Sequence, residues 1–199
     1  MLKKFLPLIV VLAVIAFIAM GFAGQYNSLV RMQEGVNAQW GNVENVYQRR
    51  ADLIPNLVET VKGYAAHERQ TLEAVIQARA EATKVQATMT PEMLNDPAAL
   101  QKFQAAQQNL GSALARLMVV VEQYPNLKAN DNFRDLQAQL EGTENRIAVE
   151  RRRFNELAQS YNVGIRRFPT NILAGMFHFT AKAYFEAAAG AQNAPKVQF

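Results

Sequence analysis

Residues 26–84 read YNSLVRMQEGVNAQWGNVENVYQRRADLIPNLVETVKGYAAHERQTLEAVIQARAEATK, and this stretch decides the fold. Its apolar side chains recur at steps of three and four. Leu29, Val36, Trp40, Val43 and Val46 lead into Ile54, Leu57, Val58, Val61, Tyr64, Leu72, Val75 and Ile76. That period marks amphipathic helix. Unbroken, a helix over 26–84 would run about 90 Å at 1.5 Å per residue, far longer than a small domain, and would project as a stalk. Pro55 interrupts the pattern. It either kinks one long helix or opens a second, with Asp52 or a neighbour as cap.

Working outward towards the C-terminus, residues 88–97 hold Thr88, Thr90, Pro91, Asn95, Asp96 and Pro97, a connection. Residues 98–123 carry a stripe of Leu100, Phe103, Leu110, Leu114, Leu117 and Val121, ended by Tyr124-Pro125. Asn126–Asn130 is a turn, with Asn130 or Asp131 available to cap the next helix. Residues 131–166 are striped by Phe133, Leu136, Leu140, Ile147, Phe154, Leu157, Tyr161 and Ile165, and Phe168-Pro169 stops them. Residues 171–190 are a last helical candidate. No segment reads as a clear strand. The composition agrees: Ala supplies 31 of 199 residues, while Gly and Pro together supply 17. Ala leads the helix scale and is poor in strands.

Working outward the other way, Phe5–Ala23 is 19 residues without a charged side chain. As a helix it spans about 28 Å, close to the thickness of a bilayer's hydrocarbon core. Phe5, Leu8, Val11, Ile15, Ala19 and Ala23 are its candidate anchor residues, and Ala19 and Ala23 form a small-xxx-small pair. Lys3 and Lys4 precede the run, and the first charges beyond it are Arg31 and Glu34. The excess of positive charge places the N-terminus in the cytoplasm and residues 25 onward outside. A cleaved signal peptide is the competing reading, with Gly21-Phe22-Ala23 as cleavage site, but the run exceeds the 7–15 residues usual for a signal core.

The expected fold is therefore all-α: an extended antiparallel bundle of long helices on an N-terminal transmembrane helix. Residues 1–24 form a cytoplasmic stub and anchor, 25–186 the bundle, and 187–199 a flexible tail. Short turns favour antiparallel neighbours, with coiled-coil-like packing.

Composition also excludes. The chain has no Cys, so disulfides, thiolate metal sites and a cysteine nucleophile are absent. The net charge of +4 falls to +2 without Lys3 and Lys4, leaving 19 basic against 17 acidic side chains and no case for nucleic acid. No Gly-rich phosphate loop, no G-x-S-x-G and no nucleotide motif appears.

Several strings carry a family resemblance. Arg50-Ala51-Asp52-Leu53-Ile54-Pro55-Asn56-Leu57-Val58 resembles the signature of the LemA family. So do Tyr26-Asn27-x-Leu29-Val30, Trp40, Tyr64-x-x-His67-Glu68, Tyr124-Pro125-Asn126-Leu127-Lys128-Ala129-Asn130 and Leu140-Glu141-Gly142-Thr143-Glu144-Asn145-Arg146-Ile147. Phe154-Asn155, Tyr161-Asn162 and Phe168-Pro169 complete the set, which covers residues 1–186 in order. The resemblance implies a bacterial envelope protein with one N-terminal transmembrane helix and a long helical bundle. It brings no catalytic residues with it.

The chemical candidates are few. His67-Glu68 lacks the second His that a helical zinc motif needs at position 71, which is Thr. Glu68, Glu141 and Glu144 would serve acid–base chemistry only in a cleft. Asp52, Asn56, Asn130, Asn145, Asn155 and Asn162 either turn inward as a register-fixing network or serve as caps and surface. Arg151, Arg152 and Arg153, with Arg166 and Arg167, are the strongest basic clusters, candidates for contact with lipid or a partner; Arg49-Arg50 is a third. Gly142 costs helix propensity and suggests close helix approach near Trp40 or Tyr64. Trp40, Pro55, Pro125 and Gly142 are read as structural. Ile172, Leu173, Met176, Phe177, Phe179, Tyr184 and Phe185 make too broad an apolar face for a surface helix; Phe177, Phe179, Tyr184 and Phe185 are the candidate interface. That segment covers the bundle end, packs on another subunit or dips into a leaflet.

No cofactor is expected. The function expected is a non-enzymatic envelope scaffold in the bacterial inner membrane, homo-oligomeric or holding an envelope protein. The alternatives are an enzyme or accessory using clustered Glu and Asn, and a membrane-surface binding or shaping protein.

Overall fold

The computed structural model describes residues 2–186, with side chains described from Val10 onward apart from Ile18. The tail 187–199 and the side chains of Phe5 and Leu8 lie outside the described residues. Six α-helices form, with no strand among the described residues: α1 (Leu2–Lys62), α2 (Arg69–Thr88), α3 (Pro97–Val121), α4 (Pro125–Lys128), α5 (Asp131–Arg166) and α6 (Thr170–Met176). The fold class is the all-α bundle expected.

Helix α1 runs 61 residues, about 90 Å, straight from the apolar run into the bundle. Pro55 neither ends it nor opens a second helix; the break falls at Gly63–Glu68 instead. Pro55 has no N–H for the carbonyl of Ala51 four residues back. Arg79 Nε on α2 donates to that freed carbonyl at 2.7 Å, so the loss is made good from outside the helix.

The direction of each helix is set by its partners. Arg79 meets Ala51 and Gln86 meets Glu44, so α2 runs antiparallel to α1. Phe103 packs on Tyr47 and Gln107 meets Arg50, so α3 rises alongside α1. Asn130 meets Tyr64, Glu150 meets Gln39 and Thr170 meets Gln25, so α5 descends the whole bundled length of α1. The boundaries have local causes. Asp96 accepts from Ala98 N at 2.9 Å with Pro97 in the first turn of α3. Asn130 caps α5 by accepting from Phe133 N at 3.0 Å. Pro125 begins α4.

Two core clusters stack along the bundle. The proximal one, nearer the apolar start of α1, includes Trp40, Tyr47, Phe103, Phe154, Tyr161 and Phe185. The distal one is mainly aliphatic, with Ile54, Leu57, Val61, Leu110, Leu114, Leu117 and Leu140.

The expectation of a last helix over 171–190 fails. Helix α6 stops at Met176, and the described residues beyond it contain no helix. Phe179 N reaches back to Ala174 O at 2.9 Å while His178 takes φ of +57°, a Schellman turn with His where Gly is usual. The chain then reverses and residues 179–186 run extended, as a strap between α3 and α5. Gly142 needs no close approach: it is exposed, and an added Cβ would meet nothing within 4 Å.

Candidate functional site: the groove between α3 and α5

Helices α3 and α5 face each other across a groove, and the strap fills its proximal part. Two asparagines on α5 hold the strap by its backbone. Asn162 Oδ1 accepts from Lys182 N at 2.8 Å, and Asn162 Nδ2 donates to Lys182 O at 2.9 Å. Asn155 repeats this on Phe185, accepting from N at 2.8 Å and donating to O at 2.9 Å. The spacing explains the repeat. Seven helical residues rise about 10.5 Å, and three extended residues span about 10 Å. One turn further along α5, Arg151 donates to Glu186 O at 2.8 Å and to Gln104 Oε1 at 3.0 Å. Its guanidinium lies 4.8 Å from the Phe185 ring centroid. On the other side the strap donates from Ala183 N to Leu94 O at 2.8 Å, and Phe185 stacks on Trp40 with ring centroids 6.1 Å apart.

Among the described residues, the groove beyond Glu186 is open. A cleft of about 600 Å³ is lined by Gln104, Gln107, Gln108, Ser112, Glu144 and Arg151, with Arg50 at its base. A smaller one of about 350 Å³ continues between Leu114, Met118, Gln137 and Leu140.

Arg50 is the main departure from expectation. Its pairing with Arg49 suggests a surface cluster, yet it is buried at the junction of the two cores. It donates to Glu144 Oε1 at 2.5 Å, to Gln107 O at 3.2 Å and to Gln107 Oε1. Its Nε is buried without a partner. The sequence did hold the signal: Arg50 falls on the stripe Val36–Trp40–Val43–Tyr47–Arg50–Ile54–Leu57. Gln107 lies likewise between Phe103 and Leu110. A charged residue in phase with an apolar stripe is buried, and the layer it forms fixes helix register.

The structure also places the remaining candidates from the sequence. Trp40 and Phe185 are core, so Phe185 is not available to a partner; Phe179 packs against the core, while Phe177 and Tyr184 are exposed. Arg151 is turned to the strap. Arg152 is exposed, and Arg153 pairs with Glu150 at 3.0 Å. Glu150 therefore serves both Arg153 and Gln39 (2.6 Å). Arg166 and Arg167 are exposed at the proximal end. Pro55 and Pro125 are exposed; of the asparagines, Asn162 is buried, Asn155 half-buried and Asn130 a cap. Val11, Ile15, Ala19 and Ala23 are exposed along the apolar run, the one candidate membrane span among the described residues. Sequence reasoning missed Lys182, which no periodicity marks. It is buried, and Nζ donates to Pro91 O at 3.2 Å.

Burial raises the Tyr47 phenol above its ordinary value, opposed by the charges of Arg151 and Arg50. Burial lowers the Lys182 ammonium, opposed by Glu92 and Glu34. Glu144 is tied to Arg50, Glu141 to Gln137 at 3.0 Å, and Glu68 accepts from Tyr124 OH at 3.0 Å. No cluster of three His, Asp or Glu suited to a metal occurs among the described residues. Amide side chains, two arginines and two glutamates line the opening, and amides with Arg151 also hold the strap's backbone in the filled part.

The fold and groove define an all-helical bundle built on one long helix that starts with a candidate membrane span. Comparison with known proteins sharpens this. The sequence profile of the LemA family matches residues 39–199, and the chain belongs to that family. It is 33% identical to magnetosome protein MamQ 2 of Paramagnetospirillum magneticum over 195 residues, 91% of this chain and 71% of that protein. Magnetosome protein MamQ of Magnetospirillum gryphiswaldense is also 33% identical, over 88% of this chain and 69% of its own length. Protein LemA of Metamycoplasma hominis is 24% identical over 93% of this chain and 80% of its own length.

Proposed function

We propose that this protein is a membrane-anchored scaffold of the bacterial cell envelope that holds a partner protein and transforms no substrate. The apolar start of α1 spans the inner membrane once. Lys3 and Lys4 favour a cytoplasmic N-terminus, so the bundle stands on the periplasmic or extracellular side. The observation that carries the reading is the groove that the described residues fill only in its proximal half. Its proximal part already grips an extended segment by paired amide contacts. Its distal part offers Gln107, Gln108, Arg151 and Glu144 around an open cleft that fits another such segment.

The test is site-specific photo-cross-linking of the full-length protein in cells. A photoreactive residue at Gln108 or Ala115, lining the cleft, is expected to give discrete adducts; one at exposed Ile76 on α2 is expected to give none. An adduct of twice the chain mass would identify the partner as a second copy. Equal, diffuse labelling at all three positions would sink the reading.

A further inference from the structure

We propose that α6 and the end of α5 form a collar that docks on the bilayer leaflet beside the bundle, taking anionic phospholipid. The inference rests on the anchoring reading above and goes beyond it, because it gives a second element of the chain a fixed depth in the membrane.

Helix α6 turns two faces. Leu173 and Ala174 are buried against the bundle. On the outside Phe168 is 82% exposed, Met176 66%, Phe177 53% and Ile172 50%. Four large apolar side chains within ten residues are costly to leave in water. Their position relative to α1 says what covers them. Phe177 packs on Tyr26 with ring centroids 4.8 Å apart, three residues past Ala23 at the end of the apolar run. A cleft of about 590 Å³ opens between Ala19, Phe22 and Ala23 on α1 and Ile172, Met176 and Phe177. Ala19 lies about 6 Å inside the run's end at 1.5 Å per residue. If α1 spans the bilayer, α6 cannot stand clear of it: its outer side chains sit at the edge of the hydrocarbon, and the cleft faces the acyl chains.

The charges agree. Arg166 and Arg167 are exposed one turn before α6, and Arg167 lines a polar cleft of about 280 Å³ with Gln25, Ser28 and Thr170. Arg31 is the first charge on α1 beyond the apolar run, and no carboxylate occurs between Glu156 and Glu186. Two arginines at headgroup depth with apolar side chains beneath them fit a phosphate above an acyl chain.

The chain has no Cys, so single cysteines report depth cleanly. Nitroxide labels on Ile172→Cys, Met176→Cys, Val14→Cys and Ile76→Cys would be placed, one at a time, in the full-length protein. Each is read in vesicles of phosphatidylcholine with one-third phosphatidylglycerol. Power saturation compares dissolved oxygen with a water-soluble nickel chelate. The expected result is a several-fold higher oxygen-to-nickel ratio at 172 and 176 than at 76, approaching that at 14. Ratios at 172 and 176 equal to that at 76, with 14 still in hydrocarbon, would overturn the collar alone. A water-exposed label at 14 would overturn the anchor and the collar together. In the same vesicles, replacing Arg166→Gln and Arg167→Gln should reduce the preference for spin-labelled phosphatidylglycerol over phosphatidylcholine by about fivefold per arginine. An unchanged preference would overturn the assignment of anionic lipid.

Discussion

On the proximal side of Arg50 the core is aromatic; on the distal side it is aliphatic. Trp40 meets Phe103 edge-on at 5.3 Å and Phe154 at 5.9 Å between centroids, and Phe185 sits among all three. Beyond Arg50 the contacts are those of Ile54, Leu57, Leu110, Leu117 and Leu140, with Phe133 the one fully buried aromatic side chain there. The proximal half has to close over a fifth element, the strap, whose extended backbone brings polar groups inside. Large flat rings fill the wider space, and Asn155 and Asn162 satisfy the backbone. Among the described residues the distal half has no such insert and packs helix on helix with smaller side chains. The layer of Arg50, Gln107 and Glu144 divides the two regimes, because a buried polar contact tolerates only one register.

Substitutions can break this contrast, and the largest effect is expected in the aromatic half. Phe154→Ala should cost about 3–5 kcal/mol, the range for removing a buried ring. Urea unfolding of the detergent-solubilised protein gives the size, and hydrogen exchange gives the location: residues 179–186 should lose protection with it. Leu117→Ala in the distal half should cost about 2–5 kcal/mol and leave strap protection intact. Loss of strap protection in both variants would show that the halves are not separate.

Asn162→Ala should cost about 2–3 kcal/mol, because the N–H and C=O of Lys182 are left buried without partners. Asn155→Ala, at a half-buried site, should cost less, and both should speed proteolysis within 179–186. An Asn162→Ala strap as resistant as the parent would remove the clamp from the account.

Arg50→Met should cost about 2 kcal/mol. Most of it comes from Gln107, which is buried, since half-exposed Glu144 regains water. The divider should weaken with it, read as a lower urea m-value or as separate unfolding of the two halves.

The smallest effect is expected at Tyr161. Its hydroxyl is buried without a partner, so Tyr161→Phe should be neutral or stabilising by under about 1 kcal/mol. Burial also holds the Tyr161 and Tyr47 phenols above the ordinary 10.0. The unfolded chain then gives up these protons first as pH rises. Stability that is complete below pH 10.0 is lost as pH climbs through the raised folded values. Lys182, pushed below 10.5 by burial, acts in the opposite sense between its folded value and 10.5. Tyr161→Phe should flatten the alkaline loss that the phenols contribute. An alkaline limb of unchanged slope would remove Tyr161 as a contributor.

Much of this contrast is legible in the sequence. The stripes through Val36–Leu57, Leu100–Val121 and Phe133–Ile165 mark three long helices, since burial on one side imposes a 3.6-residue period whatever the partner. Arg50 and Gln107 sit in phase with those stripes and are readable as buried. Pro55 misleads because a proline's missing N–H disrupts a helix only when the freed carbonyl stays unpaired, and Arg79 lies 24 residues away in sequence. The 171–190 segment misleads in a different way. Its apolar residues suit a helix face, but they are shared between a short helix, a turn at His178 and an extended strap, and no local period separates these.

The order of helices, the uncharged run before them, the capped starts at Asp96 and Asn130 and the LemA signature were set by the sequence alone, because each depends on residues near one another in the chain. Tertiary structure decided the rest: which polar residues are buried, where α1 ends, and that 179–186 is gripped as extended backbone between α3 and α5. Those outcomes depend on hydrogen-bond partners far away in sequence. Lys182 on Asn162, Arg50 on Gln107 and Arg79 on Ala51 meet only once the helices have packed.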